Sequence, residues 1–567
     1  MNVVFCCALI MLLYTGSGIA SSFYVAPGAA PMGTGSIDSP WTLQTALDQP
    51  DALLPGDTVW LRGGTYTNTV TWDPAYGNIS FVCNTNGSVD APIVFRNYRN
   101  ERATLDGEMN QIVLYLGAAN SFTSGCSNTW FWGIEVMSSA AVRASWRSYI
   151  QCLAPNIKFI NMVLHDMADG IDLWNAAKGA ELYGCLIYHN GWDDGTLAHG
   201  HGIYTQNDTT NTRIIHDNIF FSGYGFNVKL WSTNQGIDNY DIRNNIVFNG
   251  GACSRFDDSR MHNFYIVNNN PDRPTRNLVM KHNYTYAGIT ASVKGLCNNI
   301  GANYGSIHMT LDSNYFLGQL RLTAPFDDFS ANGNRIYGGT ALPYLTTFGD
   351  IDWSLWRNTE ASQDVPTEGV EYFVLPNKYE QGTAHVAIYN WENADEVRID
   401  ISQLQYRPGD RYQLINVTDY YNDVITGVCP AGSEIIVPMT GHSTASPIGG
   451  EKTPVSQFPK FGAFVIRKFP ETTASVLAAD RGMAIADLYP SPAASTLSMN
   501  LWITHPGTYE VGVSDLTGRS VASNVVPVSE TGDTHLEIET QDLRNGIYLL
   551  CIVGGQGIIK RTFVVCR

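Results

Sequence analysis

The 567-residue chain is short of charge, and shorter still of positive charge. Only 15% of its residues are Asp, Glu, Lys or Arg, and 34 basic side chains face 52 acidic ones for a net charge of −18. A surface of that sign repels phosphate backbones, so nothing favours a nucleic-acid partner. An acidic ligand would need a local basic patch or a bridging cation. Beyond the first twenty residues no apolar run is long enough to span a membrane. The eleven cysteines show no C-x-x-C or related metal-ligand spacing. Residues 1–20 run apolar from Val3 to Tyr14 and close on the small residues Gly18-Ile19-Ala20, the pattern of a signal peptide, although the usual Lys or Arg at its start is missing. Cys6 and Cys7 would leave with it. The remaining nine thiols are an odd number, each either a small core hydrophobe or, after export, half of a disulfide.

What is abundant points to strands and tight turns: 53 Gly, 29 Tyr and 23 Phe. The length calls for two to four domains. After Phe23-Tyr24-Val25, Ser39 and Pro40 supply an N-cap and a first helical residue for a short amphipathic helix ending near Leu47. A strand follows from Pro55-Gly56-Asp57-Thr58 through Val59-Trp60-Leu61. A helix in that place covers the open apolar end of a stack of repeats. The P-G-D-T strand running on to Gly64-Thr65-Tyr66 resembles the N-terminus of the pectate-lyase-like β-helix superfamily, a resemblance that implies fold and leaves substrate open.

An imperfect repeat then decides the architecture. An Asn, once replaced by Cys, precedes a short apolar strand at Asn161, Cys185, Asn218, Asn245, Asn283, Asn314 and Asn334, with spacings of 24, 33, 27, 38, 31 and 20 residues. One coil of a parallel β-helix needs about twenty residues or more, and the excess leaves as loops. Asn tolerates the turn and can hydrogen-bond to the Asn one coil away, so a ladder is expected. The fold class is therefore all-β: a right-handed parallel β-helix over residues 21–358, right-handed because parallel crossovers almost always are, followed by two β-sandwich domains.

The first sandwich, residues 366–470, follows a linker around Ser362-Gln363-Asp364-Val365-Pro366 and is marked by the alternating strand His385 to Trp391. The second, residues 483–567, carries Leu488-Tyr489-Pro490-Ser491-Pro492, Asp515-Leu516-Thr517-Gly518-Arg519 and Leu543-Arg544-Asn545-Gly546-Ile547-Tyr548 before Lys560-Arg561. It resembles the C-terminal sorting domain of the type IX secretion system of Bacteroidetes, with Ser491 where the family more often has Asn. The resemblance implies contact with the type IX machinery, export across the outer membrane, removal of the domain, and a secreted or surface-attached product.

Chemistry is sought where coils stack. Laid over one another on their glycines, the segments at Gly170, Gly202 and Gly225 place Asp172, Tyr204 and Asn227 in one outward column and Trp174, Gln206 and Lys229 in another, with Phe226 turned inward beside Ile171 and Ile203. That is a polar groove with an aromatic platform and a cation. His216, Arg243 and Lys281 form a second basic column two residues before the ladder. Between Gly191 and His201 an insertion carries Trp192, Asp193, Asp194 and His199, with Asp193 and Asp194 as candidate metal ligands.

Uronate lyases with this fold use a Lys or Arg base and neutralise the substrate carboxylate with Ca²⁺ or another cation. The resemblance thus implies Lys229 as base, helped by Arg243, His201 or Tyr204 as proton donor, and Trp174, Asn227 and Gln206 against the polymer. The expected partner is a polysaccharide and the expected state a monomer. A competing resemblance is to β-helix glycoside hydrolases, through Ala168-Asp169-Gly170, Asp193-Asp194 and Gly200-His201-Gly202, but the Asp pair lies only seven residues before His201 instead of a coil away. A non-catalytic surface protein binding glycan through the same groove is the third reading.

Overall fold

The computed structural model describes residues 20–565, apart from 74–76, 100, 120–121, 124, 145–146, 209, 233, 257–261, 289–296, 323–325, 339–344, 348–352, 469–482, 490–495, 504–505, 516–518, 530–531 and 555–556. The signal segment, Ser491, Leu516-Thr517-Gly518 and Cys566 therefore lie outside the described residues. Each coil contributes one strand to each of three sheets. In one turn of the stack Asp169–Leu173 lies in the third sheet, Glu181–Tyr183 in the first and Leu186–Tyr188 in the second, before His201–Thr205 returns to the third. Among the described residues the first sheet has twelve strands, from Ser22–Val25 to Trp356–Arg357, and the second eleven, from Gly64–Tyr66 to Glu360–Ser362. The third also has eleven, all parallel except for the hairpin of Val70–Asp73 with Gly77–Cys83. The chain is a parallel β-helix, and its last strand reaches Ser362, slightly past the expected end at 358.

The interior is filled by like residues stacked on like, as in Phe95, Phe131 and Phe159, whose rings lie 5.5 and 5.8 Å apart. At the N-terminal end the cap helix is Leu43–Leu47, with Leu43, Ala46 and Leu47 buried. It begins later than expected. Thr42, whose Oγ1 accepts from the Thr45 amide at 3.1 Å, is the N-cap, because the Trp41 backbone is already paired with that of Tyr24 and its ring is stacked on Phe23. Ser39 and Pro40 belong to the turn before it.

The Asn ladder is present. Asn218 Nδ2 donates to Asn245 Oδ1 at 3.0 Å, Asn245 to Asn283 at 2.9 Å, Asn283 to Asn314 at 2.9 Å and Asn314 to Asn334 at 3.0 Å. Each receiving Oδ1 also accepts the backbone N–H of the ladder residue before it, as Asn245 does from Asn218 at 3.1 Å. Just upstream sits a residue with positive φ: Asp217, Asn244, His282 and Ser313. The side-chain amides thus satisfy the backbone groups that this left-handed bend removes from the strand pairing. Asn161 is a correction. Val163 pairs with Leu186, which puts Met162 in the ladder register with Cys185 and leaves Asn161, at φ 50°, as a bend residue.

The segment after Ser362 forms a five-stranded antiparallel sheet from Val370–Pro376, Thr383–Asn390, Phe461–Lys468, Arg411–Asn416 and Val424–Val428, with Glu396–Asp400 and Glu434–Pro438 as a second layer. This five-stranded sheet is buried on both faces. One packs on the second layer through Val386, Ile388, Leu414 and Phe464. The other packs on the outer face of the helix's second sheet, where Tyr389, Trp391, Phe461 and Val465 meet Tyr188, Phe221, Phe248, Tyr286 and Tyr315. Covering both faces explains why Thr383–Asn390 is buried at all but its first residue. Residues 468–567 form a separate unit. In it Met483–Tyr489, Thr496–Ile503 and Gly532–Glu539 make one antiparallel sheet, and Ser520–Val528, Gly507–Asp515, Gly546–Gly554 and Gly557–Val565 another. The two share a core of Leu497, Leu501, Tyr509, Val511, Leu550 and Phe563.

An ionic chain whose Glu135, His165 and Asp166 are buried crosses the coils beside the first sandwich. Arg102 forks onto Glu135, Glu135 meets His165 Nε2 at 2.8 Å, and His165 Nδ1 meets Asp166 at 2.7 Å. Arg143 closes the chain on Asp166 and also donates to the Ile448 carbonyl of the sandwich at 2.7 Å. Burial works against charge on His165, but its bonds to Asp166 and Glu135 win and raise its pKa to about 9.

Two measurements test these features. Asn245→Ala leaves the Asn218 amide and the Ile215 carbonyl without partners in the interior, so a loss of about 2–4 kcal/mol is expected by denaturant titration; a change under about 0.5 kcal/mol would show the ladder to be incidental. For His165, the stability owed to its charge is fully present below the unfolded value of about 6.5. It is lost as pH rises through about 9. The melting temperature should fall over that window, and His165→Gln should flatten the fall.

Candidate functional site

The groove on the outer face of the third sheet is built from three successive strands: Asp169–Leu173, His201–Thr205 and Phe226–Ser232. Strand pairing aligns Asp169 with His201 and Phe226, and Asp172 with Tyr204 and Lys229. The glycine overlay is therefore corrected by two residues on the third strand. Gly225 is not the equivalent of Gly170 and Gly202; it lies in the preceding turn, where a Cβ would sit 2.5 Å from the Gly200 carbonyl oxygen. Asn227 takes the corner position of those glycines instead. It is buried, and its Nδ2 donates to the Phe248 carbonyl at 2.8 Å and to Asn263 Oδ1 at 3.3 Å. Asn227 thus ties the turn together and does not line the groove, whereas Phe226, expected inside, stacks on His201 with ring centres 5.7 Å apart.

A shift of two preserves the facing of a strand residue, so Lys229 points outward as expected, but over Tyr204 and Asp172. Its Nζ lies 3.0 Å from His201 Nε2 and within 4.5–5.0 Å of the ring centres of Tyr204, Phe226 and Trp231. On the far side of His201, Asp169 Oδ1 accepts the backbone N–H at 2.7 Å and Nδ1 at 2.6 Å. An acceptor at Nδ1 places the ring proton there and leaves Nε2 as a lone pair facing the Lys229 ammonium. Three consecutive coils thus supply a carboxylate, an imidazole and an amine in one hydrogen-bonded line.

The surroundings set the charges. Burial first, then the Lys229 charge, lower the His201 pKa, and Asp169 only partly offsets them. Burial and the neighbouring Asp169 push the Asp172 carboxyl well above its ordinary range. Asp172 Oδ1 is buried without a donor, as is Gln151 Oε1 on the adjoining rung. A protonated Asp172 removes the conflict between two such acceptors. Tyr204 is pushed up to about 12, chiefly by burial. Its hydroxyl accepts from Gln206 Nε2 at 3.1 Å, and its ring meets Trp174 edge-on at 5.2 Å. Gln206 is buried and also donates to the Trp231 carbonyl at 2.8 Å, so it holds the floor, while half-buried Trp174 forms a wall.

The other expected residues are engaged elsewhere. Arg243 does share a column with His216 and Lys281. That column belongs to the first sheet, however, and Arg243 there bonds Asp241; it does not meet Lys229. In the insertion, Trp192 and Asp193 pair with Ala198 and His199 as a small hairpin. Asp194 accepts from the Thr196 and Leu197 amides at 2.9 Å and from His199 Nε2 at 2.6 Å. Asp193 accepts from Ser254 Oγ at 2.6 Å and the Arg255 amide at 3.0 Å. Both acids fold and anchor the loop, and among the described residues no three His, Cys, Asp or Glu side chains gather as ligands for a metal ion. These residues do not fit a Ca²⁺ site. A cavity of ≈ 260 Å³ lies between the second sheet and the first sandwich, but its lining Arg102 and Glu135 neutralise each other, and it is not the groove.

Residues 487–566 match the secretion system C-terminal sorting domain family, and the chain carries that domain. It marks the protein for type IX secretion to the cell surface or beyond. A stretch of 91 residues, 16% of the chain, is 38% identical to pectate lyase PEL9 of Emericella nidulans, and the chain spans about a fifth (19%) of that enzyme's length. Among solved structures, a rhamnogalacturonan lyase aligns with a TM-score of 0.35 at 15% identity, over 61% of this chain and 87% of that one. PfbA, a surface adhesin of Streptococcus pneumoniae, aligns with a TM-score of 0.27 at 9% identity, over 63% and 98%. The assignment of the β-helix rests on the strand pairing itself.

The electrostatics of the line give a direct check. His201 should titrate below the free value of about 6.5 when its ring nitrogens are followed by NMR. Lys229→Met should raise that midpoint and Asp169→Asn should lower it; a midpoint indifferent to both would mean that the three groups are not coupled.

Proposed function

We propose that the protein cleaves a uronate-containing polysaccharide by β-elimination, with Lys229 as the base. The observation that carries this reading is the line from Asp169 through His201 to Lys229, with Lys229 Nζ 3.0 Å from a lone pair. The His201 lone pair can take a proton from the Lys229 ammonium, with Asp169 stabilising the imidazolium so formed, and this frees the amine for reaction. That amine removes the proton next to the uronate carboxylate. The electron pair so released forms the double bond and expels the glycosidic oxygen, which takes a proton to complete the new end. Tyr204 retains its proton at neutral pH and stands one rung from Lys229, the place of a proton donor.

The floor also suits an anionic chain in a protein of net charge −18. Asp169 is engaged by His201 and burial favours the neutral form of Asp172, which lowers the repulsion met by a bound carboxylate. Three rungs along the Lys229 column, past Tyr265 and Asn299, stands Arg321. At roughly 4.8 Å per rung it is about 14 Å away, within reach of a carboxylate further along the same polymer. Trp174 and Trp231 offer ring faces to the sugars between.

The test is to incubate the purified protein with uronate and neutral polysaccharides, reading ultraviolet absorbance and reducing ends together. Both signals are expected on a uronate polymer, with Lys229→Met slowing turnover by about two to four orders of magnitude and the fold retained. Reducing ends without absorbance would assign hydrolysis instead. Retention of polymer without any product would assign binding alone.

A further inference from the structure

We propose that Cys83 and Cys126 are joined as a disulfide in the exported protein. Their sulfurs lie 3.1 Å apart inside the helix, both side chains buried, on neighbouring coils. The turns that carry them are stacked in register. Asn86 pairs with Ser127 in a parallel bridge, and Thr85 Oγ1 meets Thr129 Oγ1 at 3.0 Å. The two sulfurs are therefore set face to face beside stacked turns, and a bond of about 2.05 Å asks for a closing movement of roughly 1 Å. The other buried thiols are placed differently. Cys152 faces the Ala154 carbonyl, Cys185 those of Phe159 and Tyr183, Cys253 that of Ser222 and Cys429 that of Pro430. A thiol is a weak hydrogen-bond partner, so two thiols set against each other gain little until they bond.

The sorting domain at 487–566 carries the chain through the periplasm, where disulfides form and persist. The step is a thiol–disulfide exchange with a periplasmic disulfide oxidant. One thiolate attacks the oxidant's disulfide, the second cysteine displaces the mixed disulfide, and the two protons and two electrons end on the oxidant as a dithiol. Because the closed coils bury both sulfurs, oxidation belongs to the moment when these coils meet, and the folded protein then shields the bond from reductant. The bond reinforces the end of the stack, where the cap helix holds the same strand through Gln44, bonded to the Val82 carbonyl and amide at 2.9 and 3.1 Å.

The exported full chain, denatured without reductant, alkylated and digested, should yield one linked pair of peptides containing Cys83 and Cys126, with Cys152, Cys185, Cys253 and Cys429 alkylated. Reductant should open the bond only when denaturant is added, and the melting temperature of reduced and refolded protein should be lower by several degrees. Cys126→Ser should reproduce that lowering and be indifferent to reductant. Full alkylation of both cysteines in the unreduced protein, or a link from Cys126 to Cys152, would overturn the proposal, and neither result depends on whether the Ser variant folds.

Discussion

Successive coils of this molecule must pair in parallel register, because a strand in the middle of the stack can satisfy its backbone groups only on the strands above and below. From that constraint comes the repetition of chemistry in columns. A residue at one rung stands about 4.8 Å from its equivalents on the next, so phenylalanines stack on phenylalanines in the interior and amides on amides at the bend. The Asn ladder is the same constraint applied where the strand must stop. The left-handed residue before each ladder Asn removes backbone groups from the pairing, and the side chain restores what was removed. The Asp169, His201 and Lys229 line joins two adjacent columns: Asp169 and His201 share one, Lys229 reaches across from the column of Asp172 and Tyr204, and strand pairing fixes both.

Much of this was legible in the sequence, and the limits have physical causes. Seven short apolar strands after a polar residue announced the coil, and alternation announced that Lys229 faces outward. Facing survives an alignment error of two; neighbours do not. The glycine overlay therefore kept the direction of Lys229 while misassigning its column, and it lost Asn227 because alternation breaks at the corner where Gly170, Gly202 and Asn227 turn the chain. The basic column of His216, Arg243 and Lys281 was likewise readable as a column, but which of three sheets it occupies depends on counting strands within each coil, and loops of unequal length hide that count. Asp169 was visible as the residue one rung before His201. It was read only within a hydrolase motif, although the shared register was the stronger signal. Asp194, followed by Gly195 and Thr196, has the composition of a turn closed by its own side chain, and it does close that turn, whereas Asp193 reaches Ser254 and Arg255 across the fold.

Long-range packing was the least legible. Tyr188, Phe221, Phe248, Tyr286 and Tyr315 look like ordinary strand aromatics, and nothing local says that they point outward to receive a second sheet. The ionic chain from Arg102 to Arg143 draws on residues spread over several coils and ends on a sandwich carbonyl more than three hundred positions later. No local pattern encodes a contact of that separation.

The five-stranded sheet buried on both faces makes the sandwich and the helix a single cooperative body. A break in the chain near residue 365, where the sequence looks most like a linker, would leave a wall of tyrosine and phenylalanine open to water on one fragment and the matching face of Tyr389, Trp391 and Phe461 on the other. Each piece would then be drawn to foreign strands and to copies of itself. Modularity in this protein ends at the sorting domain, and the sandwich cannot be exchanged for another without rewriting one face of the coil.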